Sequence, residues 1–277
     1  MKVVIEMIST AFIFSLALKG GSSEQKNPED SSSVIISVVY DNNEYDPRLE
    51  KAWGFSCLIR GTEKTILFDT GRNGKILLSN MSKLKIDPQE VEVIVLSHIH
   101  GDHVGGLDAF LDENSKVTVY LPHSFPNSFK DEVKRYGAEI VSVGKPLKIY
   151  QNVYSTGELG TRKKEESLLI NTERGLIIIT GCAHPGILNV VRRAKEILKT
   201  NVHLVMGGFH LRGLSRRQIE EIVQGFKKEG VKKVGPCHCL GNLARKLFKK
   251  AYDKDFIPVG VGKIIEIHQS QTSNKSL

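Results

Sequence analysis

The stretch 93-VIVLSHIHGDHVGG-106 carries four histidine or aspartate residues among the six from His98 to His103, directly after an apolar run. "VEVIVLS" (Val91–Ser97) reads as a strand covered on both faces, because its apolar residues are continuous rather than alternating. On an extended backbone His98 and His100 stand at i and i+2, so both rings point the same way. A tight turn at Gly101 is expected to reverse the chain and bring Asp102 and His103 in from another side. A lone histidine is usually a core or surface residue, and His123, His203 and His268 are read so. The dense cluster points instead to metal ligation, with imidazole and carboxylate donors that suit zinc, manganese or iron. Two divalent ions held there can activate a shared water and polarise a substrate oxygen.

Other donors fall at similar places. Cys182 and His184 follow "LIIIT", His210 follows "HLVMGGF", and His238 follows "VKKVGPC". Strand ends of one sheet can converge on one edge. The first half reads as the strands "VIISVVYDN", "WGFSCLIRG" and "KTILFDTG", a helix around Gly74–Lys85, then "VEVIVLS" and "SKVTVYLP". The second half begins with "LKIYQNVYST", "ESLLINTE" and "GLIIITG" and then alternates helix and strand. Ile187, Val191, Ala194 and Leu198 form one helical stripe. Ser215 and Gln218 resemble a capping box before a helix whose Ile219, Ile222, Val223 and Phe226 share a face. "VGVGKIIEI" closes the domain. Two strand-then-helix halves predict an α/β fold of two mixed β-sheets packed together, with helices outside.

Bulk properties narrow the class. At 277 residues, 40% hydrophobic and 25% charged, the chain is not dominated by disorder. The net charge of +8 is compatible with an anionic partner, although much of the excess sits in segments such as "ARKLFKKAYDK" that read as solvated helix faces. The four cysteines do not make a small disulfide scaffold. Cys237 and Cys239 flank His238 and Cys182 lies two residues before His184, which suggests thiol or metal chemistry; Cys57 reads as a small buried residue. "MISTAFIFSLAL" near the N-terminus has the length of a signal h-region, followed by a polar linker up to Ser33. Residues 1–33 are therefore expected to be a signal or anchor segment plus linker, dispensable for folding; 34–268 the folded domain that carries the donor cluster; and 269–277 a disordered tail. Export, membrane anchoring through the N-terminus and cytoplasmic residence all remain open on this reading.

With these residues in place, the chain resembles the metallo-β-lactamase superfamily. "SHIHGDH" matches its defining motif, and "ILFDTG" its preceding strand-end aspartate, here Asp69. The finer pattern "TGCAHPGI", "MGGFHL" and "PCHCLG" resembles a branch named for 7,8-dihydropterin-6-yl-methyl-4-(β-D-ribofuranosyl)aminobenzene 5'-phosphate synthase. The resemblance implies an αββα sandwich over roughly residues 35–268, with a binuclear site on one edge. The common family pattern has a histidine between the first motif and a bridging aspartate. "YSTGELGTRKKEESLLI" has none, and the aspartate position reads Thr180-Gly181-Cys182.

By that resemblance Cys182 stands at the bridging position and His184 replaces the missing histidine. His98, His100 and His184 would then hold one ion, and Asp102, His103 and His238 the other. Asp69 would orient one of the histidines. The last ligand is read as His238 in preference to His210, which becomes a supporting group or the proton donor. The expected activity is metal-dependent hydrolysis with two divalent ions, zinc before iron or manganese. The alternatives are a transferase acting on a phosphoribosyl substrate in pterin biosynthesis, with Lys or Arg of "TRKKEES" receiving the phosphate, and a non-catalytic metal or thiol sensor. The expected partner is a small anionic molecule, with no nucleic acid.

Overall fold

The computed structural model describes residues 33–268; the expected leader, most of the linker and the tail lie outside the described residues. The first sheet is built from β1 (Ser33–Asp41), β2 (Phe55–Arg60), β3 (Ile66–Phe68), β4 (Val93–Val95), β5 (Thr118–Pro122), β6 (Glu139–Val143) and β13 (Ile264–His268), in the order β13-β1-β2-β3-β4-β5-β6. The second holds β7 (Leu147–Tyr150), β8 (Val153–Ser155), β9 (Leu168–Thr172), β10 (Gly175–Thr180), β11 (Val202–Gly208) and β12 (Lys233–Cys237), in the order β12-β11-β10-β9-β8-β7. Both sheets are mixed: β3 to β6 and β10 to β12 pair in parallel, and the remaining neighbours are antiparallel.

Side-chain alternation on continuous apolar strands creates the layers. Ile177 and Ile179 of β10 face Val93, Val95 and Phe68 across the space between the sheets. Leu176 and Ile178 point the other way, into a core shared with α5 (Ile187–Leu198), α6 (Arg216–Lys228) and α7 (Asn242–Tyr252). On the far side, Ile94 and Leu96 pack with Leu77 and Met81 of α1 (Gly74–Lys83) and Phe110 of α3 (Leu107–Glu113). The result is the αββα sandwich.

Ser215 caps α6 through a complete capping box with Gln218, and Ile219, Val223 and Phe226 are buried. This much follows the sequence pattern. Three local expectations need correction. "LKIYQNVYST" is not one strand but the hairpin β7–β8, because Asn152 takes φ 61, a left-handed conformation that asparagine tolerates better than most residues. In "VGVGKIIEI" only the stretch from Ile264 is strand; Gly262 at φ 91 breaks the extended run before it. Gly101 does not make a tight reversal: it opens the short helix α2 (Gly101–Val104), with His100 as its N-cap. Period-two alternation ends at His100, and the helical turn then rotates Asp102 and His103 toward the site. The strand β6 and the helices α3 and α4 (Asn127–Arg135) were not expected; α4 is predominantly polar and buries only Val133.

Candidate metal centre

The ends of β4, β10, β11 and β12 place all eight candidate residues at one edge of the sandwich. The donors fall into overlapping sets whose ligand atoms lie within 4.8 Å of one another: His98, His100 and His184; Asp102, His103 and His238; His98, His103 and Cys182; and Cys182, His210 and Cys239. His184 thus joins the first pair of motif histidines, and His238 joins Asp102 and His103. His210 is exposed and groups with the thiols instead.

Each buried imidazole is held by one nitrogen and offers the other to the centre. His103 Nδ1 lies 2.7 Å from Asp69 Oδ2, leaving Nε2 at 3.3 Å from Cys182 Sγ. His184 Nδ1 lies 2.9 Å from Glu165 Oε2. His238 Nδ1 lies 2.9 Å from Asn42 Oδ1, and its buried Nε2 has no hydrogen-bond partner although it stands 3.2 Å from Asp102 Oδ2. His98 Nδ1 lies 2.9 Å from Ser97 Oγ, and its Nε2 faces His100 Nδ1 at 3.1 Å. Metal-bound histidines are oriented this way, with the outer nitrogen on a carboxylate, an amide or a hydroxyl. The convergence of inner nitrogens around an orphaned Nε2 fits divalent ions at this edge.

The electrostatics agree with that donor chemistry. Burial, and then the neighbouring His238, push His103 down to about 3. Burial and His103 likewise lower His98 well below its ordinary range. Both rings are therefore neutral at neutral pH and keep the lone pair that a metal needs. Burial works against ionisation of Asp102, but His238 and His103 together hold its carboxyl below the usual carboxylate range.

Two supporting residues are absent from the sequence reading. Glu165 lies wholly inside the protein and accepts from the backbone N–H groups of Cys182, Ala183 and His184 at 2.8, 2.8 and 2.9 Å. Against its burial, the His184 side chain and those amides hold it well below the usual carboxylate range. One carboxylate thereby fixes the whole Cys182–His184 turn, including Ala183 at φ 59. Trp53 donates Nε1–H to Asp102 Oδ2 at 2.9 Å, and its ring lies 4.9 Å from that of His238. The composition of "TRKKEES" is that of a solvated loop. Arg162, Lys163 and Lys164 are exposed, but Glu165 and Glu166 are buried. Lys163 reaches the centre, with Nζ 2.6 Å from His100 Nε2. A pocket of about 740 Å³ opens beside it, lined by Arg162, Lys163, His184, Asn189 and His210 among others.

The close approach of β4 and β10 requires Gly181. A Cβ there would meet Ser97 Oγ at 2.0 Å and Asp69 Oδ2 at 3.1 Å. Ser97 also donates its N–H and its hydroxyl to Asp69, both at 2.7 Å, so the Asp69–His103 pair is built on this contact.

Behind the site, Glu166 accepts from Ser155 Oγ but leaves Oε1 without a partner. Burial pushes its pKa up to about 8 from the ordinary 4.5. Between those values the unfolded chain ionises while the folded one keeps its proton. Stability from this residue is therefore full below about 4.5 and declines as pH rises toward about 8. Glu166→Gln should raise the melting temperature, with a gain that grows from about pH 5 to about pH 8 and reaches the order of a few kcal/mol. Melting curves that shift in parallel at all pH values would contradict this assignment.

A sandwich of two mixed sheets with an H-x-H-x-D-H edge site defines a class, and comparison with known proteins gives it a family. Residues 54–195 match the metallo-beta-lactamase superfamily. A 7,8-dihydropterin-6-methyl-4-(beta-D-ribofuranosyl)-aminobenzene-5'-phosphate synthase of Methanocaldococcus jannaschii is 31% identical, over 84% of this chain and 96% of that protein. A crystal structure described as a metal-dependent hydrolase of the beta-lactamase superfamily superposes with a TM-score of 0.72 at 28% identity, covering 85% of this chain and 100% of that one. A ribonuclease Z of Streptococcus mutans is 24% identical over 56% of this chain and 43% of its own length. The chain belongs to the metallo-β-lactamase superfamily.

Proposed function

We propose that the protein is a metal-dependent hydrolase whose edge site holds two divalent ions, zinc before iron or manganese. The observation that carries this reading is the pair of adjacent three-donor sets, His98–His100–His184 and Asp102–His103–His238, each with its outer nitrogens already engaged. Two ions in these sets would supply Lewis acidity and an activated water. The chain's own residues do the rest. Trp53 fixes Asp102. Arg162 and Lys163 give the 740 Å³ pocket a cationic wall for a small anionic substrate. His210, on the same wall, donates the proton to the leaving group, and Cys239 raises its affinity for that proton.

Transfer onto a phosphoribosyl substrate, as in pterin biosynthesis, is the second reading. It is favoured by the 31% identity to the synthase and by Arg162 and Lys163 beside the centre. Turnover assays on phosphodiester, thioester and lactam substrates, run beside product analysis with a pterin and a phosphoribosyl substrate, separate the two. Hydrolysis of any of the first group supports the hydrolase; condensation without hydrolysis sinks it. Metal loading with neither activity would favour a sensor.

Cys182 supplies a further test. Its thiol stands where the family has a carboxylate, 3.3 Å from His103 Nε2. Cys182→Asp should keep two ions, whereas Cys182→Ala should weaken the second by about 10–100-fold. Equal zinc affinity in the parent and Cys182→Ala, measured by competition with a chelator, would reduce Cys182 to a packing residue.

A further inference from the structure

The four cysteines separate into two kinds. Cys57 and Cys237 are wholly buried in the apolar layer between the sheets. Cys182 and Cys239 stand at the strand edge, and their sulfurs meet an imidazole nitrogen of His210, all three donor atoms within 4.8 Å. The backbone is shaped around them. His210 at φ 53 and His238 at φ 48 lie in the left-handed region, which costs a residue with a Cβ on the order of 1–2 kcal/mol. The His210 N–H points at Cys239 Sγ, 3.2 Å away. Gly208 makes room for the same sulfur, since a Cβ there would stand 2.8 Å from it.

We propose that Cys182, His210 and Cys239, whose donor atoms converge at the end of β10, β11 and β12, form a third metal subsite that takes one soft d-block cation such as Zn²⁺ or Cd²⁺. Two sulfurs and an imidazole, with no carboxylate, select such ions over magnesium, calcium or manganese. Both sulfurs ligate as thiolates, so binding one divalent ion releases the protons that they carry. Three protein donors leave a fourth position open, and His210 lines the 740 Å³ pocket, so the ion is reachable from it. Cys182 also belongs to the set with His98 and His103, so the subsite adjoins the binuclear centre through a shared sulfur. Ligation does not rest on the proposed hydrolysis. Its consequence does: an ion on His210 occupies the lone pair used in proton transfer, so loading the subsite inhibits.

Zinc and cobalt titrations of the full chain test the proposal, with bound ion counted by elemental analysis after equilibrium dialysis. The parent should bind three equivalents, the third more weakly, and its cobalt form should show a near-ultraviolet sulfur-to-metal band. Cys239→Ser and His210→Ala should each bind two equivalents, and both should lose the part of that band that belongs to the third ion. Cys237→Ser should still bind three. Circular dichroism checks that each variant is folded. Equal stoichiometry and an equal band in the parent, Cys239→Ser and His210→Ala overturn the third subsite and leave the binuclear reading standing. A parent that binds a single ion, lost in Cys239→Ser and retained in His98→Ala, overturns the binuclear reading and leaves the thiolate subsite standing.

Discussion

His98→Ala and Asp102→Ala are each expected to yield a folded protein that has lost the ion of its own donor set and its turnover. His98 belongs to two of the donor sets, and Asp102 is the one carboxylate among their donors. Losing either leaves a two-donor remnant, and affinity for the ion should fall by about 100-fold or more. The fold should survive because the three apolar cores are built from strands and helices that do not need these side chains. The cavity left by His98, which is 1% exposed, costs about 1–3 kcal/mol. Elemental analysis after dialysis, run beside a thermal melt, reads both quantities. Full metal retention in either variant overturns the ligand assignment.

Glu165→Ala should have the largest effect on stability of any substitution outside the cores. It removes the acceptor of three buried backbone N–H groups and of His184 Nδ1–H at once. Orphaned buried donors cost about 1–3 kcal/mol each, and the losses are not additive, so about 3–5 kcal/mol is expected. For a domain of this size that corresponds to a fall in melting temperature of roughly 6–20 °C. Glu165→Gln keeps one oxygen but turns an NH₂ toward other donors, and should fall between the parent and the alanine variant. Both should also loosen metal, because His184 loses its orienting partner. A melt within 2–3 °C of the parent (about 1 kcal/mol) would show that solvent replaces Glu165 and that the turn does not depend on it.

The three residues tested above differ in how plainly the sequence showed them. His98 through His103 were legible because four of six consecutive residues carry the chemistry and a continuous apolar strand precedes them. Cys182, His184, His210 and His238 were legible for the same local reason, each following a strand. Glu165 was not. It lies in "KKEES", where four consecutive charged residues look like a solvated loop, and its role is to accept backbone hydrogen bonds from a turn 17 to 19 residues later. No periodicity reports such a contact. Trp53 was hidden by distance as well, 49 residues from its partner Asp102.

The αββα layering was readable from runs such as "LIIIT" and "VIVL", whose continuity demands cover on both faces. What the sequence reading missed was local backbone choice: the Asn152 hairpin, the break at Gly262, and the helix that begins at Gly101. Each depends on one residue's φ or on tertiary packing, neither of which an apolar pattern encodes.

We propose two ions at this edge, in two defined donor sets. Anomalous scattering from crystals of the zinc-loaded full chain, collected on both sides of the zinc absorption edge, tests this proposal most directly. One peak is expected bounded by His98, His100 and His184 and a second bounded by Asp102, His103 and His238. Absence of either peak at saturating zinc, with the corresponding side chains hydrogen-bonded to one another instead, would contradict it.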